Sequence, residues 1–129
     1  MDTKYIQLFA QLANSTQVLA SQVSNYNLSK QDEKGADTAK TMSEDFTQLY
    51  KKISAPDFDA ATLTRQDFAK LLVGALIVSQ HLENQINNQQ IALNGYKEDL
   101  IPKLEEVINK SSTTEDAQKV ASEIFQLNN

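Results

Sequence analysis

The chain has no cysteine and no tryptophan, and its 129 residues include only three glycines, two prolines and one histidine. Each shortage closes off some chemistry. Without cysteine there is no disulfide, no thiolate-held zinc or iron–sulfur cluster, and no thiol nucleophile. A cysteine-free chain fits a reducing compartment, and a cytoplasmic location is the expectation. The single histidine, His81, removes every centre built from several imidazoles, zinc and haem sites included. A di-iron bundle needs Glu-x-x-His on two helices, and here Val78 stands three residues before His81. No metal and no cofactor are therefore expected.

Arginine is nearly missing too. Arg65 stands alone among 12 cationic residues, and the formal net charge is −5. The only adjacent basic pair is Lys51-Lys52. A nucleic-acid binder shows a basic stripe in which arginine reads phosphate and guanine. Direct binding to nucleic acid is not expected, nor is attachment to an anionic membrane surface. The most apolar window, Phe68 to Val78, carries Lys70 inside it and is too short to cross a bilayer, which takes about 20 apolar residues. No basic leader followed by an apolar run opens the chain, so no signal peptide is expected.

What the scarcity of glycine and proline leaves is a helix-forming composition. Apolar residues recur in steps of three and four. One stripe runs Tyr5, Phe9, Leu12, Thr16, Leu19, Val23, Tyr26; a second runs Ala39, Met42, Phe46, Leu49, Ile53. The third and longest runs Phe68, Leu72, Ala75, Ser79, Leu82, Ile86, Gln89, Leu93. Leu100, Leu104, Val107 and Ile108 mark a shorter helix, and Ala117, Val120, Ala121, Ile124 and Leu127 the last. The punctuation agrees. Ser29 with Asp32, Thr64 with Asp67, and either Thr113 with Asp116 or Ser112 with Glu115 have capping-box spacing. Gly35 weakens the start of the second helix. Pro56 ends it, because the residue before proline is pushed out of the α region. Asn94-Gly95 reads as a left-handed helix stop. Pro102 lies in a first turn, where a missing N–H costs least.

These signals predict helices near 3–26, 31–54, 64–94, 96–110 and 113–127. The last two together match the third in length. The fold class expected is all-α: one domain over residues 1–129, an antiparallel up-and-down four-helix bundle whose fourth member is split in two. The amide-rich tract 84–90 keeps the apolar spacing and reads as helix.

The acidic residues offer no converging pair. They come as neighbours, such as Glu44-Asp45, Glu98-Asp99 and Glu105-Glu106, and neighbours on a helix point about 100° apart. They read as solvated faces and caps. No glycine-rich phosphate loop and no Ser-His-Asp signature is present. His81 carries the one sharp alternative. Phosphotransfer bundles expose a histidine midway along a helix, followed by a lysine and a small residue. In "HLENQ" Glu83 occupies that space, and a carboxylate repels an incoming phosphoryl group.

The positive signal is elsewhere. On the third helix Leu72 and Ala75 fill the inward stripe, yet Val73, Leu76 and Ile77 lie 120–180° away, bordered by Ala69. Branched side chains gathered there form a candidate interaction patch. Either the last helix or the segment 56–63 folds over it, or it meets a partner, which is a second copy across a two-fold axis or a different protein. The function expected is a non-enzymatic helical module acting through protein–protein interaction: an adaptor, chaperone, inhibitor or regulatory subunit, of bacterial or phage accessory type. The alternatives are phosphotransfer through His81 and a bundle holding a small apolar ligand. Immunity proteins, secretion chaperones, phosphotransfer modules and phage accessory proteins share such an architecture, and fold-level analogy does not choose among them.

Overall fold

The computed structural model describes residues 4–83 and 95–126. Among them the expected all-α bundle of five helices is found, with no strand. Helix α1 spans Lys4–Ser29 and α2 Glu33–Ser54; a 3₁₀ turn, Ala60–Thr62, leads into α3, Arg65–Glu83. A π-helical turn, Gly95–Leu100, runs directly into α4, Ile101–Asn109, and α5 is Thr114–Phe125. The reading of residues 84–94 as the second half of the long helix lies outside the described residues. No helix among the described residues is long and apolar enough to cross a membrane.

Most of the punctuation works as local chemistry requires. At the start of α3 the capping box is reciprocal: the Asp67 N–H donates to Thr64 Oγ1, and the Thr64 N–H donates to Asp67 Oδ2, each at 3.0 Å. Thr113 accepts from the Asp116 N–H at the start of α5. Pro102 sits in the first turn of α4. Three signals act differently. Helix α1 does not end near residue 26 but continues to Ser29, whose hydroxyl donates back to the Tyr26 carbonyl. The cap of α2 is Asp32 itself, accepting from the Gly35 N–H at 3.0 Å. Gly35 is what allows it: a Cβ there would stand 2.3 Å from Asp32 Oδ2. Gly95 is no left-handed stop either, since its φ is not positive; it opens the π-helical turn.

The chain runs up and down. Ser24 on α1 donates to the Ala36 carbonyl and Ser43 on α2 donates to the Gln17 carbonyl, so α1 and α2 are antiparallel. Helix α3 returns alongside α1, with Phe68 near Phe9 and Gly74 near Thr16. The two pieces of the split fourth member fold back on each other instead of lying end to end. Helix α4 descends from Tyr5 toward Arg65, and α5 climbs back until Phe125 meets Tyr5 and Phe9. Arg65 pins the turn between them: its guanidinium donates to the Ile108 carbonyl at 3.1 Å and to the carbonyl and hydroxyl of Ser111.

This hairpin puts the core at one end. Phe9, Phe68, Phe125, Leu12, Leu63, Leu71, Leu100, Leu104 and Val107 are fully buried there. The face that α3 buries is accordingly wider than the sequence stripe and centred elsewhere. Phe68, Leu71, Gly74, Ala75, Val78 and Ser79 are inside, whereas Leu72 and Leu82 are only half-buried. Helix α3 packs on α1, α4 and α5, and Leu71 is fully buried in the core they share. At the other end, the second half of α1 and the first half of α2 form an arm with α3 along its side.

Candidate functional site: an apolar furrow between three helices

Helices α1 and α2 lie close because their facing residues are small. Thr16, Ala20 and Ser24 are buried on α1, Ala36 on α2. Larger apolar side chains on the expected stripes therefore fall at the edges: Leu19 and Met42 are half-buried, as is Ala39 beside them, while Val23 and Tyr26 are exposed. Helix α3 approaches this hairpin closely at Gly74, where a Cβ would come within 2.8 Å of Thr16 Oγ1 and 3.0 Å of the Phe46 ring. On either side of that crossing the helices leave open hollows.

Three of these hollows join. The largest, about 580 Å³, is walled by Leu19, Val23, Ala39, Met42 and Ile77, with Asp32 and Lys34 at its end. Through Thr38 and Met42 it continues into a hollow of about 360 Å³ between α2 and α3, walled by Phe46, Ala69 and Val73, with Asp45 and Lys70 at that end. Through Leu19, Val23 and Ile77 it continues toward Tyr26 and His81. The result is a furrow with apolar walls and charged ends.

The sequence-predicted patch is one wall of it. Ala69, Val73 and Ile77 recur every four residues along the α3 side. Val73 and Leu76 are exposed, so neither α5 nor the segment 56–63 covers them. Ile77 is half-buried and lines the furrow together with Leu19 and Val23. Leu76 stands beside the furrow and outside its walls. Sequence reasoning placed Leu19, Val23 and Met42 on inward stripes and so missed the opposite wall. The signal that could have found them is the run of small residues, Thr16, Ala20 and Ser24, which claims the inward face first.

His81 is exposed and borders the end of the furrow. The two hollows it touches are lined by Asn14, Ser15, Gln22 and Gln80 among polar residues, and by no lysine or arginine. Glu83, two residues on, is ion-paired with Lys97 of the π-helical turn. A phosphoryl group on His81 would meet amides and hydroxyls but no cation in these hollows. Among the described residues no three histidine, aspartate or glutamate side chains converge as a metal set.

A second polar cluster lies at the core end, where α1 meets the π-helical turn. The Tyr5 hydroxyl donates to Asp99 at 3.1 Å, Lys103 donates to the Tyr5 oxygen, and Lys103 pairs with Asp99 at 2.8 Å. The hydrogen bond from Lys103, joined by that from Tyr5 and opposed by partial burial, holds the Asp99 carboxyl below its ordinary range. The hydrogen bond to Asp99 raises Lys103 in turn. A lysine held in its charged form is a poor nucleophile, and the cluster acts as a tether between α1 and α4. Burial also raises the nearby Tyr96 phenol. Compared with protein-family models, curated proteins and solved structures, the chain matches none.

Proposed function

We propose that the protein is a non-enzymatic helical module that works by binding a protein partner, a different chain or a second copy, through the furrow, as an adaptor, inhibitor or accessory subunit does. One observation carries this reading. All the large apolar side chains that stand clearly exposed among the described residues, between 43% and 62%, lie on two elements: Val18, Val23, Tyr26 and Leu28 on α1, and Val73 and Leu76 on α3. None lies on α4 or α5. Val23, Tyr26 and Val73 of these line the furrow, and exposed apolar residues gathered along one groove, unlike ones scattered singly, call for an explanation. Elongated grooves of this kind take an amphipathic helix, which fills them with residues spaced three and four apart. A cytoplasmic location fits the cysteine-free chain.

The test compares proteins recovered on the tagged chain, an untagged copy of the chain included, with those recovered on Val73→Glu, Leu76→Glu and Lys119→Glu. The first two positions flank the furrow and are exposed, so the variants keep their fold; Lys119 is exposed on α5 and serves as the control. A partner held by the wild type and by Lys119→Glu, and lost by the other two, supports the reading. Identical recovery from all four chains refutes it.

A second reading has a specific observation behind it. The largest hollow, at about 580 Å³, falls within the size of small-molecule sites, about 300–1,000 Å³. A small apolar ligand there would appear in native mass spectrometry as a mass that copurifies with the wild type and is lost with Ile77→Glu.

A further inference from the structure

The furrow's rim answers a question about its occupant. Helix α2 carries a second seam beside the one it buries: Lys34, Thr38, Thr41 and Asp45, stepping by 4, 3 and 4, all exposed. Residues at such steps share one helix face. The seam is its own mirror image about the point between Ala39 and Lys40. Lys34 mirrors Asp45, and Thr38 mirrors Thr41.

Charge follows the same symmetry. Lys34 and Asp45 are 11 positions apart on α2, about 16 Å along the axis, too far to meet each other. Neither they nor Lys70 takes part in any ion pair among the described residues. One end of the furrow holds Asp32 and Lys34; the other holds Asp45 and Lys70. Each end therefore carries one charge of each sign, ready for a partner whose order is reversed.

We infer that the furrow takes a second copy of this chain, with the α2 helices antiparallel across a two-fold axis at the centre of that seam. In this arrangement Lys34 of each copy faces Asp45 of the other, Thr38 faces Thr41, and Asp32 comes to the end that carries Lys70. Met42, Val73 and Ile77 then close over the centre, away from water. A two-fold interface uses the same patch on both copies, so it demands a self-complementary pattern, and this seam supplies one. A foreign helix would have to carry the same charges in the same order by coincidence. At a net charge of −5 per copy, unselective association is repelled, and local pairing decides the register. The inference rests on the protein-binding reading and names its partner.

The experiment is analytical ultracentrifugation of the full chain from about 1 μM to about 1 mM, a range that spans weak and moderate affinities. Three chains are compared: wild type, Asp45→Lys, and the double variant Lys34→Glu with Asp45→Lys. The wild type is expected to dimerise. Asp45→Lys sets cations against each other at both symmetric sites and should weaken the dimer by about tenfold or more. The double variant restores opposite charges and should return to within about threefold of wild type, since the two positions act as one pair. Both positions are exposed, and unchanged far-UV circular dichroism confirms folding of each variant. A monomeric wild type throughout the range overturns the inference. So does a dimer indifferent to Asp45→Lys, or a folded double variant that stays weak. If the wild type is monomeric while capture of another protein still depends on Val73 and Leu76, only the occupant is wrong and the protein-binding reading stands.

Discussion

Replacing Phe125 with alanine tests the architecture at its most exposed assumption, that the last helix closes the core. Phe125 is the final residue of α5 and is fully buried. Its ring meets Tyr5 edge-on at 4.8 Å and Phe9 at 5.2 Å, and Phe9 meets Phe68 at 6.5 Å. One side chain thus ties α5 to α1 and, through Phe9, to α3. Truncation removes the transfer energy of the ring and leaves a cavity, together about 3–5 kcal/mol. The two edge-to-face contacts account for about 1–3 kcal/mol of this. A domain of this kind has about 5–15 kcal/mol in total, so the variant should remain folded but fragile. Unfolding entropy of about 2.1 cal/mol/K per residue gives about 0.27 kcal/mol/K for 129 residues, and hence a melting temperature lower by about 11–18 °C. The assay is urea unfolding followed by far-UV circular dichroism, with a thermal melt beside it. Loss of less than about 1 kcal/mol at an unchanged denaturant slope would show that the end of α5 is not docked on α1, and the hairpin of α4 and α5 would have to be abandoned.

Three further outcomes follow from other contacts. Leu71→Ala should cost about 2–5 kcal/mol because Leu71 is fully buried, and Leu76→Ala less than about 0.5 kcal/mol because Leu76 is half exposed, with Leu72→Ala between them; urea unfolding orders the three, and equal losses at Leu71 and Leu72 would reject the assigned face of α3. Arg65→Ala removes charged hydrogen bonds to the Ile108 and Ser111 carbonyls and should cost about 1.5–3 kcal/mol, whereas a melt unchanged from wild type would mean that the α4–α5 turn needs no clasp. The Asp99 carboxyl sits below its ordinary range in the folded chain, so its contribution is present above the unfolded carboxyl's range and fades as pH falls through the folded value; Asp99→Asn should flatten the acid side of the stability–pH curve, and a curve that superimposes on wild type would refute the tether.

How much of this was legible in the sequence depended on what competes for a helix's inward face. Fold class, helix number and the cap at Thr64 follow from local chemistry, which the sequence states directly, whereas for the last helix the spacing left Thr113 and Ser112 both open and the structure selects Thr113. The first stripe held through Tyr5, Phe9, Leu12 and Thr16, where large residues meet the core. Beyond Thr16 it failed. An apolar pattern ranks Leu19, Val23 and Tyr26 above Ala20 and Ser24, but close approach of two backbones selects the smaller pair. On α3 the error had another source. A helix packed on three neighbours buries a wide arc, and a single stripe through Leu72 bisects it wrongly; Leu71 is the residue inside. Phe125 was missed because the spacing from Ala121 was followed to Ile124, although α5 turns its bulkiest residue inward at its last position before Gln126 adopts a left-handed φ of 55°. The patch at Ala69, Val73, Leu76 and Ile77 could be found because its residues break the stripe, and its meaning as one wall of a furrow could not, since the other wall belongs to α1 and α2.

The small-residue seam that misled the pattern also explains why the furrow exists. Along the arm, α1 and α2 are held by Ala20, Ser24 and Ala36 and by two hydrogen bonds across the seam, Ser24 to the Ala36 carbonyl and Ser43 to the Gln17 carbonyl, both 2.9 Å. Bonds of this kind join the helices without burying large side chains between them. Leu19, Val23 and Met42 are thereby left at the margins, where Ile77 covers them only in part. Had the seam been built from leucines, these residues would have been core and the margins polar. Stability and exposed apolar surface are in this way largely separated: aromatic packing and the Arg65 clasp lie where α5 docks, and the furrow runs along α2 and α3 from Ala69 toward His81. Substitutions such as Val73→Glu should therefore change association while leaving the melt within about 0.5 kcal/mol of wild type, as surface positions do. A residue whose replacement moved both together would belong to the core, and that separation would not hold.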